Sequence, residues 1–297
     1  MRIYVDAAIM QKDKPYNGDA KYLHGFVSPF DAEVVAKLLA NRHEIISDSE
    51  AADAALYNDL HGKKRREAAE KNIYYIHPTY GTVSRYGLIP SACSMDTLGL
   101  MCKDLNTGFE LLSQIVGNDE KDGAMVTNPI LPPRQASPSA SVKNLNMLSY
   151  NRLKHHDVYN QIFQILTSAE ISHNLNRYDG IKFGYRADGF RGLNELYTKT
   201  RSESFNPKTK LTAIAGALLL SQDYYEPYYE QAMKIRRLIR EDVNHLLVGN
   251  SIIDAPVDSP LPQLAGLPSV TFSKNGKGVQ LIANVGQETL LKEVASQ

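Results

Sequence analysis

Apolar positions along this chain recur at helical spacing in several long stretches, with shorter strand-like clusters between them. Behind Ser28-Pro29-Phe30-Asp31, the residues Val34, Val35, Leu38 and Leu39 share one helix face. Ser28 is the expected N-cap there, with Pro29 at the first helical position. Asp104 to Gly117 is the best-marked helix. Leu105, Phe109, Leu112 and Val116 form its stripe, Asp104 its cap and Gly117 its left-handed stop. Asp157 to Asn176 carries Val158, Ile162, Ile165, Leu166 and Ala169 on one side, and Asp157 is the expected cap. Leu211 to Leu220 is too apolar to face water and predicts a buried helix. Tyr225 to Leu247 repeats Tyr228, Tyr229, Ala232, Ile235, Ile239, Val243 and Leu246 at helical spacing. Between these, residues 72–102 read as short strands and turns. Val270-Thr271-Phe272, an Asn275-Gly276 turn and Val279 to Ala283 predict a hairpin, and a short helix over 288–294 closes the chain. The prolines and serines of 128–141 predict a surface segment. Helices alternating with strands, without a repeat period, predict a layered α/β fold.

Composition narrows the functional classes. Lys and Arg total 33, as do Asp and Glu, so the formal charge is zero. That balance argues against a chain whose main task is gripping phosphate backbones, and no direct nucleic-acid binding is expected. The run Lys63-Lys64-Arg65-Arg66 reads as a solvated helix face. The tyrosines 224, 225, 228 and 229, beside Lys234, Arg236, Arg237 and Arg240, read as scaffold rather than as a base-stacking platform. A hydrophobic fraction of 43% with 22% charged residues describes a folded globule. No window reaches the roughly 18 consecutive apolar residues of a membrane span. The N-terminal segment lacks an export pattern. Cys93 and Cys102 are too few to staple a chain of 297 residues, which points to a reducing compartment: cytoplasm, or an organellar matrix, but not secretion. His155-His156-Asp157 reads as a helix start, because adjacent residues diverge in direction and rarely ligate one ion. Neither a metal nor a cofactor site is expected.

Several blocks, taken in order, resemble one family. His77-Pro78-Thr79-Tyr80-Gly81-Thr82-Val83-Ser84-Arg85-Tyr86-Gly87-Leu88 resembles the K-P-T-Y-G-x-V-S-R-Y-G-L block of amidase-signature enzymes. Ser91-Ala92-Cys93-Ser94-Met95-Asp96-Thr97-Leu98-Gly99 is similar to their A-S-S-L-D-x-I-G. Ser168-Ala169-Glu170, with Asn174 to Gly180, resembles S-A-E followed by N-L-x-R-Y-D-G. Phe26-Val27-Ser28-Pro29-Phe30-Asp31-Ala32 resembles Y-V-S-P-Y-D-A, and Leu264-Ala265-Gly266-Leu267-Pro268 resembles L-A-G-L-P. These collinear blocks are most similar to the amidotransferase A-subunit branch of the family. The resemblance implies a single domain over residues 1–297, built as a mixed sheet flanked by helices and truncated in its centre.

The same resemblance implies a loss of chemistry. The family cleaves amides with a Ser nucleophile, a bridging Ser and a Lys base, held in glycine-rich segments. This chain has no Gly-Gly dipeptide, and an Ala/Glu/Lys/Arg stretch fills the region between Leu39 and His77. The family's Lys position falls on Asp6, and its substrate-binding Arg position on Thr212. His77 stands where the family has Lys and reads as drift. Cys93 and Ser94 remain as weak alternative nucleophiles, the structural reading being that they pack a turn. The expectation is therefore a non-catalytic relative, a structural or regulatory subunit of a hetero-oligomer whose partners resemble amidotransferase B and C subunits. Two alternatives stay open: an active amidase or glutaminase with a displaced nucleophile, and a ligand sensor using a remnant pocket.

Overall fold

The computed structural model describes residues 1–126, 145–249 and 251–297. The chain opens with β1 (Arg2–Val5), α1 (Glu33–Ala40), β2 (Glu44–Ile46), β3 (Ala54–Asn58), α2 (Lys63–Glu70) and β4 (Tyr74–His77). Next come β5 (Leu98–Cys102), α3 (Leu105–Ile115), β6 (Asn146–Ser149), α4 (Tyr159–Leu175), α5 (Leu193–Ser204) and α6 (Pro207–Leu219). The last part holds α7 (Gln222–Tyr224), α8 (Gln231–Leu246), β7 (Ser251–Ala255), α9 (Leu261–Ala265), β8 (Ser269–Lys274), β9 (Lys277–Ile282) and α10 (Glu288–Ala295). The strands form one mixed sheet in the order β2-β1-β3-β5-β4-β8-β9-β7-β6. Pairing is parallel for β2-β1-β3 and for β7-β6, and antiparallel from β3 through to β7. The Ala/Glu/Lys/Arg stretch supplies β2, β3 and α2, so the sheet runs unbroken across it.

Alternation along the strands sorts the core into two faces. Ile3 and Val5, Leu56, Ile76, Leu100, Val270 and Leu281 point toward α1, α3 and α10. On the opposite face, Ala55, Tyr57, Tyr75 and Met101 meet α2, while Ile253 and Ile282 pack with α4, α8 and α9. The cap of α3 forms as its sequence predicts: the Thr107 amide donates to Asp104 Oδ2 at 2.7 Å. The hairpin forms too, with Asn275 and Gly276 at φ 53° and 73°, the left-handed pair that a tight two-residue turn needs.

Other expectations need correction. Ser28 does not cap a helix; its Oγ donates to the Phe30 carbonyl, and α1 begins only at Glu33. Asp157 caps nothing, because a short 3-10 turn over His156–Val158 intervenes before α4. α6 is not buried: Leu211, Ile214 and Leu218 are 68%, 67% and 48% exposed. Only its other side, through Gly216, packs on α4. The helix predicted from Tyr225 starts instead as a π-helical turn, Tyr225–Glu230, around Pro227, which has no N–H to complete an α-turn. The basic run on α2 is not all solvated, since Arg65 lies fully inside. Among the described residues no helix is long and apolar enough to cross a membrane. The segment 128–141 lies outside the described residues.

Candidate functional site

Between β4 and β5 the chain folds into a tight turn around Asp96. Its carboxylate accepts from the Ser91 amide and from Asn58 Nδ2, each at 2.8 Å, while the Met95 and Asp96 amides both donate to the Ala92 carbonyl. Ala92 and Met95 are buried beneath the turn, which leaves Cys93 and Ser94 on its outer side. Burial pushes the Asp96 carboxyl up, opposed by its hydrogen bonds to Asn58, Ser91 and Ala92.

Ser94 is held by side chains from two distant helices. Its amide donates to Glu170 Oε2 at 2.9 Å and its hydroxyl donates to Glu170 Oε1 at 2.5 Å. From α8, Arg236 Nη1 donates to Ser94 Oγ at 2.7 Å and Nη2 to the Ser94 carbonyl at 2.9 Å. A third Arg236 bond, from Nε to the Leu264 carbonyl at 2.9 Å, fixes the guanidinium plane against α9. Burial lowers the Arg236 pKa, with the Glu170 charge opposing. The Ser94 hydroxyl thus contacts both a carboxylate and a guanidinium, the relation an activated nucleophile needs.

The preceding residue is braced from the other side. The Cys93 carbonyl accepts from the Tyr80 hydroxyl at 2.9 Å and from Arg85 Nη1. Arg85 is clamped by Asp122: its Nε and Nη2 donate to the two carboxylate oxygens at 3.0 and 2.8 Å, and its amide adds a third bond at 2.8 Å. Burial works against Asp122 ionising. The Arg85 side chain, with the backbone amides of Arg85 and Ala124, outweighs it and holds the carboxyl at about 2.

Three cavities meet at this turn. One of about 530 Å³ is lined by Tyr80, Ser94, Arg236, Arg237, Arg240 and Gly266. A second, about 310 Å³, is lined by Cys93, Glu170, His173, Asn174 and Tyr229, and Asn174 Nδ2 lies 3.6 Å from Cys93 Sγ. A third, about 150 Å³, is bounded by Arg85, Cys93, Asp96 and Asp122. Glu170, His173 and Asn174 reach the second cavity from one face of α4, at spacings of three and four residues.

Tyr229, Arg236, Arg237 and Arg240, read from sequence as scaffold, line two of these cavities, whereas Asp6, Thr212 and His77 line none of the three. Asp6 follows β1, where its carboxylate accepts from the Ala8 amide at 3.0 Å and burial raises its pKa. Thr212 turns back into α6, donating to the Lys208 carbonyl. His77 is fully buried on β4. From sequence, Cys93 and Ser94 are only weak alternative nucleophiles, read first as packing a turn, and Arg236 reads as scaffold; nothing there joins Glu170, Arg236, Tyr80 or His173 to them. The available signal was the polar Glu170, His173 and Asn174 at helical spacing within an otherwise apolar stretch.

Residues 49–148 and 147–289 match the Amidase family. The chain belongs to that family. It is similar to the A subunit of the glutamyl-tRNA(Gln) amidotransferase of Akkermansia muciniphila, 34% identical over 246 residues, which cover 72% of this chain and 52% of that protein. The chain therefore spans about half the length of that relative. Its fold matches the crystal structure of the A subunit of the glutamyl-tRNA(Gln) amidotransferase from Thermotoga maritima, with a TM-score of 0.75 at 18% identity over 99% of this chain and 81% of that one. The native peptide amidase of Stenotrophomonas maltophilia gives 0.73 at 17% identity, over 99% and 81%. These likenesses bear out the mixed, helix-flanked sheet. They overturn the expectation that the chain is not an enzyme: the relatives carry enzyme names. Replacement at Asp6 and Thr212 also leaves a hydroxyl, a carboxylate and a guanidinium in contact at Ser94.

Proposed function

We propose that this chain is an amide-cleaving member of the amidase family, with Ser94 as nucleophile and Glu170 as general base. The observation that carries the reading is the Ser94 Oγ–Glu170 hydrogen bond, with Arg236 Nη1 on the same oxygen at the wall of the 530 Å³ cleft. In this reading Glu170 takes the hydroxyl proton as Oγ attacks the amide carbonyl carbon. The proton passes to the departing nitrogen as the C–N bond breaks, leaving an acyl ester on Ser94 and a free amine or ammonia. Water then attacks the ester, again with Glu170 as base, and restores the hydroxyl. Arg236 offsets negative charge building on Oγ, an interaction strengthened by its partial burial.

The second part of the proposal concerns assembly. The relative from Akkermansia muciniphila carries the name of one subunit of a larger enzyme, and this chain exposes an apolar stripe of Leu211, Ile214 and Leu218 on α6. Both support a hetero-oligomeric enzyme over a solitary one. The free thiols of Cys93 and Cys102 support a reducing, cytoplasmic setting.

The test is release of ammonia from glutamine and from simple primary amides. Ser94→Ala is expected to remove turnover by about a thousandfold and Glu170→Gln by about a hundredfold, with Cys93→Ser unaffected. Wild-type rates equal to a buffer blank, or unchanged rates in Ser94→Ala, would overturn the reading.

A further inference from the structure

The face of the sheet beneath α2 is polar where a core is expected to be apolar. α2 packs over β4, β8 and β9. In their register, Tyr75, Thr271 and Gln280 lie side by side in one row, with His77 and Ser269 in the next. All five are buried, at 0–2% exposure. Arg65 of α2 lies over them, also 2% exposed, and its charge acts on both Tyr75 and His77. Among the described residues, thirteen buried side-chain polar atoms lack a hydrogen-bond partner, and eight of them belong to these six residues. They are Arg65 Nε, Tyr75 Oη, both His77 nitrogens, Ser269 Oγ, Thr271 Oγ1 and both polar atoms of the Gln280 amide.

The charge inventory is lopsided. The Arg65 guanidinium donates to the Gln263 amide oxygen at 3.0 Å, and among the described residues it forms no ion pair. Asp59, the carboxylate whose charge acts on it most, spends both oxygens on the Lys64 and Arg65 amides at the start of α2, at 2.8 and 3.0 Å. The other ionisable groups acting on Arg65 are Tyr75, Arg66 and Asp258. Buried cations are paired as a rule, and buried polar atoms without partners call for an occupant. Water would satisfy hydroxyls but brings no counter-charge. The hydroxyls, the Gln280 carboxamide and the His77 imidazole can each donate or accept, whereas the Arg65 guanidinium only donates and carries the cluster's one fixed charge.

We propose that the buried polar cluster between α2 and strands β4, β8 and β9 binds a small monovalent anion, held by Arg65 with Ser269, Thr271 and Gln280. The site is separate from the Ser94 cluster and does not depend on its chemistry. α9 touches both, since Gln263 accepts from Arg65 and the neighbouring Leu264 carbonyl accepts from Arg236.

Bromide is the probe. Crystals of the full chain grown in sodium bromide are expected to show an anomalous peak within hydrogen-bond distance of Arg65 Nε and of Ser269 Oγ or Thr271 Oγ1. Density there without anomalous signal means water only and overturns the proposal. In solution, the thermal midpoint is expected to be roughly 5 °C higher in bromide, at about a hundredfold excess over its dissociation constant, than in gluconate of equal ionic strength. Arg65→Met risks failing to fold, so Thr271→Val and Ser269→Ala, which keep the side-chain volume close, carry the test. Both are expected to lose the bromide-dependent rise. A rise that persists in both is a general salt effect and overturns the assignment, as does its absence from the wild type.

Discussion

Asp122→Asn breaks the brace behind the Cys93–Ser94 turn while changing almost no volume. The carboxylate accepts three hydrogen bonds from Arg85 and one from the Ala124 amide, and the paired side chains are only 16% and 7% exposed. A carboxyl held at about 2 instead of its ordinary 3.8 corresponds to about 2.4 kcal/mol of stability at neutral pH. That is a ceiling, because the pair faces the 150 Å³ cavity and solvent there screens it, leaving about 1–2 kcal/mol. The sign follows from the depressed pKa. The contribution is complete above 3.8 and fades as pH falls through 3.8 toward 2. Urea unfolding of wild type and variant should therefore show a deficit of about 1–2 kcal/mol at pH 7 that shrinks by about half at pH 3. Arg85 also donates to the Tyr80 hydroxyl and the Cys93 carbonyl, so a loosened guanidinium should lower kcat roughly tenfold. Equal stability of the two proteins at pH 7, or a deficit that does not depend on pH, would refute this reasoning.

Two further outcomes follow from the packing. Gly216→Ala drives a Cβ into the Ser168 carbonyl oxygen and Ser172 Cβ, well inside van der Waals contact, which forces α6 away from α4. A loss of about 3 kcal/mol is expected by urea unfolding, and a change below about 0.5 kcal/mol would contradict the close helix contact. Burial, aided by the Arg65 charge, pushes His77 down from 6.5 to about 3, so the folded chain keeps it neutral. The stability this gives is complete above pH 6.5 and is lost as pH falls through 6.5 toward 3, by about 2 kcal/mol at pH 5. His77→Leu should flatten that part of the pH profile in gluconate buffer; an unchanged slope would contradict it.

Much of the fold was legible because its signals are local. The Asp104 cap and the Asn275-Gly276 turn each act within a few residues, and both formed as expected. The reading failed where the environment decides. Leu211, Ile214 and Leu218 predict burial by composition, yet α6 packs through Gly216 on one side only and shows its apolar stripe to solvent. Lys63 to Arg66 reads as one charged face, yet the helical turn sends Arg65 inward over β4 and β8. At the site, Cys93 and Ser94 could be named from a sequence block. Their contacts with Glu170 and Arg236 could not, because those side chains reach Ser94 from 76 and 142 residues away. In the proposed mechanism the base comes from a distant helix and leaves no spacing to read near Ser94. That is why replacement at Asp6 and Thr212 suggested a chain without chemistry.

The most direct measurement is covalent. Wild type incubated with a fluorophosphonate that esterifies activated serines, then digested and mapped by mass spectrometry, is predicted to carry the adduct on Ser94. Glu170→Gln should slow labelling by about a hundredfold, since the base no longer takes the hydroxyl proton. No adduct on Ser94, or labelling that proceeds at the wild-type rate without the Glu170 carboxylate, would contradict the account.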